Sequence, residues 1–124
     1  MLLDVPRSRE IPWIEPGEDV LYEDLVAAEQ FQGVRVGAGD ILLVRTGHAR
    51  RQAELPPWET GKLKAGLHPL TARFLAEPRV AALGSDGNND TAPSATEGIA
   101  FPIHVLASTR WEFICSTTFN SRTW

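Results

Sequence analysis

Two apolar runs of strand length constrain this chain more than any other feature. Ile41-Leu42-Leu43-Val44 and Val80-Ala81-Ala82-Leu83 are continuous rather than alternating in polarity. Both faces of such a strand must be covered, as in a buried sheet flanked by helices. Gly37-Ala38-Gly39-Asp40 supplies a turn before the first run, and Arg45-Thr46-Gly47-His48 follows it. The second run ends in Gly84 and passes into residues 85–97, dense in Asp, Asn, Ser, Thr and Pro. Polar residues at the C-terminal ends of buried strands lie where open α/β sheets bind ligands.

The covering helices are partly visible. Tyr22 to Gln32 is the clearest, with Leu21, Leu25, Ala28 and Phe31 on one face and Val26 beside them. Glu23 and Asp24 favour its first turn, and Gly33 is placed to end it in a left-handed cap. Pro69 can start a second, shorter helix through Phe74 and Leu75, which Pro78 stops. Residues 2–5 and 34–36 read as short strands, residues 49–67 as polar loop, and residues 99–105 as a further apolar stretch. The expected fold is an α/β domain with a mostly buried, mixed sheet and two helices.

With 124 residues, 43% apolar and 23% charged, one soluble domain is expected. The net charge of −4 argues against nucleic acid as a partner. No apolar run is long enough to span a membrane, and no signal peptide is evident, so a cytoplasmic setting is expected. The single cysteine, Cys115, excludes an internal disulfide and a Cys-based zinc cluster.

Three histidines are candidates for chemistry. His48, His68 and His104 have no local His-x-x-x-His pairing. His48 reads as a solvated loop residue and His68 as a residue at a helix entrance. His104, in Phe101-Pro102-Ile103-His104-Val105-Leu106, fits a core histidine bonded to backbone and a catalytic one equally well. Asp86, Asn88, Asp90, Ser94 and Glu97 have the oxygen spacing of a calcium loop, but Thr91 stands where such a loop needs glycine. Asx-rich turns are the plainer reading. A non-catalytic module that uses residues 86–97 for calcium or a partner is the alternative function.

Several of these stretches, in order, resemble the cyclase family of metal-dependent hydrolases, which includes kynurenine formamidase-like (arylformamidase) enzymes. Leu2-Leu3-Asp4 is similar to an upstream strand of that family, and Gly39 to Gly47 to its "GD-apolar-L-apolar-RTG" strand. Gly66-Leu67, Phe74 to Glu77 and Val80 to Asp86 resemble its helix–strand–aspartate unit, and Phe101 to Leu106 its "P-x-H-x-x-L" segment. The resemblance implies that residues 1–106 are the C-terminal part of a swivelling β/β/α-like hydrolase domain. It implies hydrolysis of amide, formamide or cyclic amide bonds of a small-molecule substrate, with manganese or zinc activating water. It matches His104 to an active-site histidine, which raises the catalytic reading, and Asp86 to the aspartate after the strand, a substrate-binding place.

The family's His-x-Gly-Thr-His-x-Asp metal motif has no counterpart in this sequence. A fragment inactive alone is therefore expected, binding no metal by itself and able to form a homo-oligomer. Residues 107–124 depart from the pattern and hold two of the four tryptophans and the cysteine. A reading-frame slip near Ala107 would account for that tail, because permitted codons read two bases further on resemble the family's leucine-rich ending. A gene that reads intact in one frame to Trp124 would sink that explanation.

Overall fold

The computed structural model describes residues 1–60, 62–109, 114 and 115. A four-stranded sheet runs in the order β1–β3–β5–β6, formed by Leu2–Asp4, Ile41–Arg45, Ala82–Ser85 and Ile114–Cys115. All its pairs are parallel, with Leu3 beside Val44 and Leu42 beside Leu83. β2 (Asp19–Val20) and β4 (Gly66–Leu67) form a second, two-stranded parallel sheet. The expected mixed sheet is thus parallel in every described strand pair. Each return to the sheet passes through helical crossovers, which bring the next strand up in the same direction.

Five helices cover the sheets among the described residues, rather than two. They are α1 (Val5–Ser8), α2 (Tyr22–Gln32), α3 (His48–Glu54), α4 (Ala72–Ala76) and α5 (Pro102–Thr109). A 3₁₀ turn over Pro69–Thr71 leads into α4. α2 has the bounds its periodicity predicts. Asp24 accepts the Leu21 N–H at its start, and Gly33 closes it at φ 67°. Leu25 and Ala28 are buried, whereas Leu21 and Phe31 are exposed, so the buried stripe is narrower than expected. Arg9 pairs with Asp24 and ties α1 to α2.

Several segments differ from their sequence reading: Val5, read with the first strand, opens α1, and Gly66–Leu67, within the expected loop, form β4. Residues 34–36 form no strand; Val36 N–H instead donates to Glu29 at 2.7 Å. Residues 48–54 are helix α3, hidden because none of its residues is fully buried and no apolar stripe marks it. Residues 102–109 are helix α5: Pro102 occupies the first helical position, where its missing N–H costs nothing. The expectations for the tail fall largely outside the described residues.

One apolar cluster binds these elements. Leu3, Val5, Leu25, Leu42, Val44, Leu75, Leu83 and Ile103 are each at most 1% exposed. Arg45 bridges the edge strand by pairing with Asp4 at 2.8 Å.

Candidate functional site

Beyond β5 the chain enters residues 86–91, and nearly every polar group there is buried. Asp86 is 2% exposed and Asp90 fully buried, with Asn89 and Thr91 close behind. Buried carboxylates demand donors. Asp86 accepts from the Thr46 N–H at 2.8 Å, the Thr46 hydroxyl at 3.1 Å and the Ala49 N–H at 3.4 Å. It therefore fastens the β3–α3 junction and caps the start of α3 across 40 residues of sequence.

Asp90 does the same for α5. Its Oδ1 accepts the Ile103 N–H at 2.6 Å and its Oδ2 the His104 N–H at 3.2 Å. These are among the first-turn donors that a helix cannot satisfy internally. The same Oδ2 lies 2.5 Å from Nδ1 of the His104 ring. One carboxylate thus fixes both the helix carrying His104 and the orientation of its imidazole.

β4 holds the loop from the other side. Leu67 N–H donates to the Asn89 carbonyl at 2.7 Å, and Lys64 and Ala92 exchange two backbone hydrogen bonds at 3.0 Å. Gly66 makes this approach feasible: a Cβ there would lie 2.4 Å from the Asp90 carbonyl carbon and 2.5 Å from the Thr91 nitrogen. Lys64, Asn88, Asp90, Phe101 and His104 line a cavity of about 330 Å³ at this junction.

His104 is neither a core histidine nor bonded through its ring to backbone alone. Its side chain is 32% exposed, and its ring meets the Asp90 carboxylate at the cavity wall. His48 is not a solvated loop residue; it opens α3. Its ring packs edge-on to Trp58, and a Cβ on Gly87 would lie 2.6 Å from its Cγ. Burial lowers the His48 pKa from 6.5, with help from the charges of Arg51 and Lys64, against the pull of Asp86. His68 sits at a helix entrance as its sequence suggests, with Nδ1 accepting from Leu70 N–H at 3.1 Å.

Asp86 lies within the same loop, but its carboxylate faces Thr46 and Ala49. Among the candidate calcium positions, Asp86 and Asp90 serve two different helix ends, and Glu97 is exposed. Asp90 is the residue that sequence reasoning passed over except as a calcium position. Its only signal is an Asx cluster upstream of a helix whose first turn has no local capping side chain.

The family model described as putative cyclase matches residues 1–89. The chain belongs to the cyclase family. A solved structure described as a novel cyclase superposes with TM-score 0.77 at 24% identity, covering 93% of this chain and 38% of that one. An isatin hydrolase bound to the product analogue thioisatinate superposes with TM-score 0.64 at 23% identity, covering 99% and 47%. This cyclase-family chain therefore spans less than half the length of either solved chain. No curated protein matches it. The partial cyclase-family α/β fold implied by the sequence is the fold observed. No described helix is long and apolar enough to cross a membrane.

Proposed function

We propose that this chain carries the proton-handling part of a hydrolase that opens amide, formamide or cyclic amide C–N bonds in a small substrate. The observation that supports it is the Asp90–His104 pair at the wall of the strand-end cavity. With Nδ1–H donated to Asp90, the neutral ring carries its lone pair on Nε2. Nε2 then takes a proton from the attacking water as the C–O bond forms. It returns that proton to the nitrogen as the C–N bond breaks. Asp90 stabilises the intervening imidazolium, the orienting role of a carboxylate behind a catalytic histidine.

The family implies manganese or zinc, which would activate the water. The described residues do not fit such an ion by themselves. No three His, Cys, Asp or Glu side chains among them converge, and Asp90 and His104 Nδ1 are turned on each other. We therefore assign metal-holding to residues other than these, and slow or no turnover to the chain on its own.

Assays with isatin and an N-aryl formamide test this reading in the presence of Mn²⁺ or Zn²⁺. The chain alone is expected to show no turnover above buffer. Turnover is expected once a polypeptide bearing the His-x-Gly-Thr-His-x-Asp motif is added, falling roughly 100-fold or more with His104→Gln. Turnover by the isolated chain, or a His104→Gln mixture as active as the original, contradicts the proposal.

A further inference from the structure

β1 is an outer strand of the four-stranded sheet, with β3 on one side and no described strand on the other. Met1 turns both its backbone groups to β3: its ammonium donates to the Ile41 carbonyl at 3.0 Å, and its carbonyl accepts the Leu43 N–H at 2.8 Å. Alternation along a strand then points the peptide groups of Leu2 and Asp4 outward. Such a row of outward donors and acceptors is a template for any strand that reaches it. Within β1 no lysine, proline or bulge guards it, and the one charge, on Asp4, is met by Arg45.

The outward groups are nevertheless occupied. Gln32, the last residue of α2, donates its amide Nε2 to the Leu2 carbonyl at 2.7 Å. Its Oε1 accepts the Asp4 N–H, also at 2.7 Å. In a parallel ladder, one residue of the neighbouring strand donates to the carbonyl before its partner and accepts from the N–H after it. The Gln32 amide makes that same pair of bonds across Leu3, where a residue of the next strand would make it. Its position is fixed from behind. Gly33 ends α2 at φ 67°, and the Arg9–Asp24 pair ties that helix to α1.

We propose that Gln32 is a strand-mimicking stopper, which holds the end of α2 on β1 and closes this edge against pairing with a second copy of the chain. A second copy is the partner concerned because it brings the same outward groups, and a two-fold axis sets two such edges side by side. Without the amide bonds the last turn of α2 is free to fray and uncover Leu2 and Asp4, which are only half-buried. The device is independent of the chemistry proposed above.

Sedimentation velocity and amide hydrogen exchange on the full chain test this with two variants that lose the bonds differently. Gln32→Leu keeps the bulk but no hydrogen-bonding group. Gln32→Glu sets a carboxylate oxygen against the Leu2 carbonyl, yet its charge is itself a guard against strand pairing. The Asp4 N–H is expected to exchange roughly 10-fold faster or more in both. Only Gln32→Leu should form larger species as its concentration rises, while Gln32→Glu sediments as the parent does. Circular dichroism checks that each variant is folded. Unchanged exchange at Asp4 overturns the proposal, as does a Gln32→Leu chain that sediments like the parent at every concentration. Equal association of the two variants overturns it too, because lost stability rather than an opened edge would then be the cause.

Discussion

Asp90 serves three donors with one fully buried carboxylate: two backbone N–H groups of α5 and the His104 ring. Removing it strands those donors, so Asp90→Ala should destabilise the chain by about 2–4 kcal/mol. An unchanged urea midpoint would show that Asp90 is not the cap of α5. His48 offers a pH test. Its folded pKa lies below 6.5, so the unfolded chain binds the proton more readily. Stability is then full above the unfolded value and is lost as pH falls below about 6.5 through the folded pKa. Urea titrations at pH 7.5 and 5.5 should show a smaller loss for His48→Gln than for the parent chain; equal losses would remove His48 as the cause. At this scale the sequence is only half legible. His104 stands out because it is polar among apolar neighbours, but nothing local to it points to a carboxylate 14 residues upstream.

Helix ends and close approaches decide the elements. α2 is readable because its buried stripe, acidic first turn and Gly33 all agree. α3 and α5 are not, because the donors at their starts are satisfied by Asp86 and Asp90 from another part of the chain. The apolar sequence of α5 fits a strand as well as a helix, and only Pro102 hints at the outcome. Two glycines separate the local rule from the tertiary one. Gly33→Ala meets nothing within 4 Å and should cost only about 1 kcal/mol, for its positive φ. Gly66→Ala meets the backbone of residues 90 and 91 and should cost about 1–3 kcal/mol or more. Thermal melts that rank the two the other way would show that β4 does not clamp the loop.

At the scale of the molecule, one core joins β1 to β5 with α1, α2, α4 and α5, so these elements should unfold as a unit. Leu83, at the centre of β5 and 1% exposed, is the most telling truncation point. Leu83→Ala should cost about 2–5 kcal/mol, a large share of a small domain's stability. Tryptophan fluorescence and far-ultraviolet dichroism should report coincident transitions; separate midpoints would mean the parts fold independently. The α/β class and the order of its motifs are legible because buried strands and their turns are local patterns. The cavity is not, because residues 64, 88, 90, 101 and 104 meet only after β4 has been laid against the loop beyond β5. That meeting is what the imidazole tautomer of His104 reports. Nitrogen NMR shifts of the intact chain should show the neutral ring protonated at Nδ1, with that proton strongly deshielded and the preference lost in Asp90→Asn. A neutral ring protonated at Nε2, indifferent to Asp90→Asn, would contradict the arrangement on which the proposed chemistry stands.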